Sequence, residues 1–139
     1  PVSIRNLKNP RIDMFWIALA GPASNILLAV ISTAILFFVV RAPALADYQS
    51  TILTFLQMFI LTNLFLAVFN IIPLHPLDGG KVLARFLPAS INYKLEQNQQ
   101  MTSLILMGLL LMGALSVLRI PVFFIFNILM GFVGVGSVL

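Results

Sequence analysis

Long apolar runs without charge constrain this chain more than any other feature of its sequence. Residues 14–40 contain no Asp, Glu, Lys or Arg. As one α-helix this run is longer than a bilayer's hydrocarbon core requires, since about 20 residues suffice. Further apolar stretches cover residues 50–72, 101–118 and 122–139. Runs of this length indicate membrane-spanning helices, because a helix or strand of a water-soluble domain carries polar and charged residues on the face that meets water.

The composition supports the same conclusion. Only 9% of the 139 residues are charged and 60% are hydrophobic, whereas a water-soluble domain carries about 25% charged residues. The net charge of +4 does not indicate nucleic-acid binding, because the basic residues are not interleaved with aromatic residues. The absence of cysteine excludes thiolate metal sites and a cysteine nucleophile. The predicted fold class is therefore all-α, a polytopic transmembrane helical bundle with three or four spans.

The apolar runs divide a single membrane domain into spans and two basic segments. The expected parts are a basic lead-in 1–13, spans at 14–40, 50–72 and 101–118, a polar segment 73–100, and 122–139 as a further span or re-entrant helix. With alternating spans, the two basic segments share one side and carry six of the eight Lys and Arg, against Arg41 and Arg119 on the other. The positive-inside rule places the six in the cytoplasm. Since the chain opens with Pro1 and ends within an apolar run, we expect it to be a piece of a longer protein.

The second apolar run ends in the sequence NIIPLHPLDGG, residues 70–80. An acid at mid-membrane costs about 2.5–3.5 kcal/mol, so Asp78 is expected to have a partner or a function. Its carboxylate can bind a metal, or it can N-cap a short helix predicted over residues 79–87. From the residues alone the cap is the commoner role, and the two roles are compatible. Gly79 and Gly80 allow the backbone to approach another helix or a substrate closely.

Other polar residues of the apolar runs support more than one interpretation. Asn70 can orient a substrate carbonyl or oxyanion, or it can satisfy carbonyls freed by Pro73. His75, the single histidine, is more typical of a loop than of a metal ligand. The segment AGPASN, residues 20–25, supplies small residues and an amide for close helix packing, with a kink point at its proline.

Three ordered motifs resemble the site-2 protease family of intramembrane zinc metalloproteases. The sequence from Asn70 to Gly80 is similar to that family's N-P-D-G signature, residues 20–25 to its A-G-P-x-x-N segment, and residues 9–14 to its lead-in. The resemblance covers about residues 1–90 and is closest to compact bacterial and archaeal members. The family's H-E-x-x-H helix, which supplies two histidines and the general-base glutamate, has no counterpart in this sequence.

The resemblance implies a role for each matched residue. Asp78 would be the third ligand of one zinc ion, whose other ligands lie outside this chain, and Asn70 would orient the substrate or the transition state. Pro73 and Pro76 would contact the substrate. The remaining matched positions are implied to be structural at the site: Gly21, Pro22, Asn25, Gly79 and Gly80.

The function implied is part of a protease for transmembrane segments, acting in regulated intramembrane proteolysis at a prokaryotic cytoplasmic membrane. Its partners would be a transmembrane protein substrate, the lipid bilayer and the missing N-terminal helices of the same protein, with no nucleic acid. This chain alone is expected to be inactive. The alternative is a non-catalytic membrane scaffold or binding protein of the same descent. A transporter segment has less support, since the sequence contains no internal repeat.

Overall fold

The fold is described by a computed structural model for residues 9–72, 77–113 and 115–135. Within these ranges every regular element is helical, and the predicted all-α class is confirmed. The helices are α1 Pro10–Val40, a 3-10 helix Pro43–Tyr48, α2 Gln49–Ile71, α3 Asp78–Ala84, α4 Ala89–Gln97, α5 Gln99–Leu111 and α6 Leu115–Val133. Three helical stretches of the described residues are long and apolar enough to cross a membrane: Ile12–Val40, Pro43–Ile71 and Ser116–Val133.

The helices form two compact units. The bundle unit comprises Ser24–Val68 and Ser116–Leu139, and the motif unit comprises Pro1–Ala23 and Phe69–Leu115. The chain enters the bundle unit within α1 and leaves it within α2. The motif unit contains most of the residues that the sequence singles out.

Apolar residues at helical spacing build the core of the bundle unit. Its buried members are Ala29, Leu36 and Val39 of α1, Leu56, Ile60 and Leu64 of α2, and Val122, Phe126, Met130 and Val133 of α6. Spacings of three, four and seven residues bring each set to one face of its helix. Outside this core Phe38, Phe55 and Phe132 are 66–74% exposed, and such an apolar exterior suits contact with lipid.

Arg41 shows how α6 runs relative to α1 inside the bundle unit. Its Nη1 donates to the carbonyl oxygens of Phe37 at 3.0 Å and Val133 at 3.3 Å, and the guanidinium lies 3.6 Å from the Phe37 ring centroid. The C-terminal ends of α1 and α6 therefore meet, and the two helices run parallel. Arg119 precedes Val133 by 14 residues, or about 21 Å of helix. Arg119 thus lies toward the end where the chain enters and leaves this unit, and its predicted placement on the same side as Arg41 is wrong.

The break after the third predicted span lies earlier than the sequence indicated. The expected boundary at Arg119–Pro121 falls inside α6, which continues through Pro121. The break instead follows α5, where Gly113 has a φ of 85°, the left-handed conformation that ends many helices. A proline is tolerated inside a transmembrane helix, because neighbouring helices and local adjustments can satisfy the carbonyl that it frees. The predicted spans 101–118 and 122–139 are therefore replaced by a short apolar helix and one membrane-length helix, with residues 136–139 outside the described range.

The first helix begins four residues before the predicted span. The Asn9 carbonyl accepts the amides of Ile12 and Asp13 at 2.9 Å each, and the Asn9 amide donates to Asp13 Oδ2 at 3.0 Å. Pro10 is favourable as the first helical residue, because the donor that it lacks would be unpaired there in any case. Pro22, the predicted kink point, is buried, and α1 continues through it.

Candidate functional site

Asp78 is the first residue of α3 and does not cap it. The N-cap position is Leu77, whose backbone is extended with φ −70° and ψ 157°, and no side chain caps this end. The expected capping role is therefore wrong. The helix also ends at Ala84 rather than at residue 87. The Asp78 carboxylate is engaged by two other residues instead, one within α3 and one on α1.

Lys81 holds one oxygen of the Asp78 carboxylate. Its Nζ donates to Oδ1 at 3.1 Å, because residues three apart share one face of a helix. The Lys81 and Asp78 side chains are 39% and 31% exposed, so the pair contributes at most about 1 kcal/mol to folding. Its main effect is to orient the carboxylate. Sequence reasoning overlooked Lys81, although the three-residue spacing from an acid was the available signal.

The other carboxylate oxygen lies against Gly21 of α1. A Cβ added at Gly21 would lie 3.0 Å from Asp78 Oδ2, whereas ordinary van der Waals contacts of a Cβ fall at 3.4–4 Å. Glycine, which has no Cβ, is therefore the residue that allows Asp78 Oδ2 to lie this close to α1. The contact joins two motifs that are 57 positions apart in the sequence. It is the most specific geometric link between the residues predicted for the site.

Gly79 lets α3 begin directly against the end of α2. A Cβ at Gly79 would overlap the backbone carbonyl oxygens of Ile71 and Ile72. The close backbone approach expected at this glycine is present, and the partner is the end of α2. Gly80 is buried beside it. Because Asp78 is joined directly to this contact, backbone packing fixes the place from which its carboxylate extends.

The remaining predicted residues are distributed over both units. Asn70 is half-buried in the last turn of α2 and belongs to the motif unit, as does Asp78. Asn25 is half-buried one turn after Gly21 and belongs to the bundle unit. Three predicted positions lie outside the described residues: Pro73, His75 and Pro76.

The described residues offer one ligand position for a metal and not a complete site. Within residues 9–72, 77–113 and 115–135, no group of three or more His, Cys, Asp or Glu could hold a metal ion. A catalytic zinc takes three protein ligands, and carboxylate oxygen is an accepted one. Asp78 can supply one such ligand because it carries a carboxylate. The absence of a Cβ at Gly21 leaves room beside its Oδ2. A complete zinc site needs further donors from beyond these residues.

Comparisons with known proteins identify the family. The model of peptidase family M50 matches residues 39–115, which is more than half of the chain and includes Asn70 and Asp78. The chain is also 33% identical over 99 residues to a Bacillus subtilis (strain 168) protein named "Putative zinc metalloprotease YwhC". That alignment covers 70% of this chain and 45% of the relative, so the chain spans about half the length of the curated relative that it matches. No solved structure matches the chain. With its membrane-length helices and its Asp78 motif, this multi-pass membrane protein belongs to the site-2 protease family, peptidase family M50.

Proposed function

We propose that this chain is part of an intramembrane zinc metalloprotease that cleaves transmembrane segments of other membrane proteins in regulated intramembrane proteolysis. Asp78 supplies the third ligand of one zinc ion, and the other ligands and the general base come from an H-E-x-x-H helix outside this sequence. The observation that carries the proposal is the contact between Gly21 and Asp78 Oδ2. It brings two family motifs together at the carboxylate that would bind the metal.

Zinc, when bound, supplies a Lewis acid and an activated water. The residues of this chain orient groups around it. Lys81 Nζ holds Asp78 Oδ1 at 3.1 Å, which leaves Oδ2 as the metal-facing oxygen. The Asn70 amide binds a peptide carbonyl of the substrate, and a positioned donor of this kind is most effective in a water-poor site. Pro73 and Pro76 favour extended backbone, beside which an unwound substrate segment pairs as a strand.

The basic residues support an orientation with this site near the cytoplasm. Residues 1–13 and 73–100 carry six Lys and Arg. Arg119 adds a seventh, because it lies toward the end where the chain enters and leaves the bundle unit. Arg41 is the remaining basic residue and lies at the other end of the bundle unit. This uneven distribution of the eight Lys and Arg favours a cytoplasmic location for the motif unit in a prokaryotic cytoplasmic membrane.

Elemental analysis and a cleavage assay on the full-length protein test this proposal. We expect wild type to hold one zinc per chain and to cleave a transmembrane substrate in a chelator-sensitive way. Asp78→Asn is expected to lose both properties, since an amide replaces the carboxylate ligand. Asp47→Asn is the matched control, because Asp47 lies in the 3-10 helix of the bundle unit.

Two results would contradict the proposal. Full zinc occupancy in the Asp78→Asn protein would exclude Asp78 as a ligand. A wild-type protein without zinc, whose cellular function survives Asp78→Ala, would favour the non-catalytic scaffold of the same descent.

A further inference from the structure

An open groove between α2 and α6 lies in the bundle unit and contains no residue of the proposed site. It is lined by Leu61 and Phe65 of α2 and by Arg119, Val122 and Phe123 of α6, and its volume is about 420 Å³. Spacings of three and four residues bring each set of lining residues to one face of its helix. The volume falls in the range of about 300–1,000 Å³ that is typical of small-molecule sites.

Arg119 supplies the groove with a positive charge that no carboxylate of the described residues pairs. It is exposed and is the single charged residue of α6. Across the described residues the one ion pair joins Lys81 to Asp78, so none of their carboxylates neutralises the Arg119 guanidinium. A guanidinium presents a planar fork of donors that matches the geometry of a phosphate. Charge complementarity therefore favours an anion, with phosphate as the best geometric match.

The position of Arg119 favours a phospholipid over a water-soluble phosphate. Arg119 is in the second turn of a membrane-length helix, and Val122 and Phe123 follow one turn further along it. A phosphate on Arg119 therefore leaves its acyl chain beside apolar side chains. Basic pockets between transmembrane helices on the cytoplasmic side are known to bind anionic headgroups. Arg119 lies toward the end of the bundle unit at which the chain enters and leaves that unit.

We propose that this groove binds an anionic phospholipid from the surrounding leaflet. The Arg119 guanidinium binds the phosphate, and one acyl chain lies along Leu61, Phe65 and Phe123. Two features together define the site: a charge that selects the headgroup and an apolar wall that holds the chain. This inference is independent of the proposed protease activity, because it uses no residue of the zinc site.

Native mass spectrometry of the full-length protein in detergent tests the proposal. The protein is incubated with phosphatidylglycerol or with phosphatidylcholine of the same acyl chains. We expect wild type to retain phosphatidylglycerol about five-fold better, the difference that one basic residue near an anionic lipid provides. Arg119→Gln should remove this preference and Arg119→Lys should keep most of it. Lys94→Gln, which removes an exposed charge on α4, should leave it unchanged.

A variant of the wall and a soluble competitor complete the experiment. Leu61→Trp should lower retention of both lipids, because the larger side chain fills the groove while Arg119 remains. Glycerol 3-phosphate, which has no acyl chain, should not displace phosphatidylglycerol. Equal retention of the two lipids by wild type would overturn the proposal, and this comparison requires no variant. An unchanged preference in Arg119→Gln, or displacement by glycerol 3-phosphate, would overturn it as well.

Discussion

Replacing Gly21 by alanine tests the arrangement around Asp78 most directly. The added Cβ would lie 3.0 Å from Asp78 Oδ2, so this oxygen must retreat by about 0.4 Å to reach a 3.4 Å contact. Lys81 restrains that movement, because its Nζ holds the other oxygen at 3.1 Å. Metal–ligand distances tolerate changes of only about 0.2 Å. The substitution should therefore impair a metal site to which Asp78 contributes.

The expected loss of zinc affinity can be taken from substitutions of residues that contact a metal ligand. We expect Gly21→Ala to lower zinc affinity and cleavage by about 10- to 100-fold, the usual effect of altering a group that orients a ligand. Folding should change in the opposite direction, since alanine is favoured over glycine inside a helix by about 1 kcal/mol. A loss of zinc with an unchanged or higher melting temperature separates this effect from misfolding.

The assay combines zinc titration with thermal unfolding of the full-length protein. Gly131→Ala is the matched control, because a Cβ at Gly131 on α6 has no atom within 4 Å. It should leave zinc affinity and cleavage at wild-type levels. The reasoning is refuted if Gly21→Ala binds zinc and cleaves substrate as wild type does.

Two further substitutions test the packing of each unit. Gly79→Ala should destabilise the motif unit by about 1–3 kcal/mol, because its Cβ would overlap the carbonyl oxygens of Ile71 and Ile72; an unchanged melting temperature would contradict this close approach. Arg41→Met should destabilise the bundle unit by about 1–2 kcal/mol, since it removes the charged hydrogen bond to the Val133 carbonyl. Arg41→Lys should recover part of that stability in the same thermal unfolding measurement, and equal losses in the two variants would show that the charge does not contribute.

The helical membrane class of this chain could be predicted from sequence because it depends on local quantities. A continuous charge-free run such as residues 14–40 is helical within a bilayer, because a helix pairs the backbone donors and acceptors inside one segment and a barrel strand would alternate apolar and polar residues. Family membership could also be predicted from the sequence, since it depends on the order and spacing of short motifs and not on how the helices pack. The sequence could not show whether a helix ends at Gly113 or at Pro121, because a transmembrane helix that packs against other helices tolerates proline.

The sequence by itself determined that this is a helical membrane protein, that it resembles the site-2 protease family, and that Asp78 is its most informative residue. Only the tertiary structure decided what contacts that carboxylate. The contact of Asp78 with Gly21 joins positions 57 residues apart, and no periodicity within either helix encodes such a distance. The direction of α6 is likewise visible only in the tertiary structure, where Arg41 donates a hydrogen bond to the Val133 carbonyl. Both depend on packing between helices, which follows from the shape and small size of particular side chains rather than from their hydrophobicity.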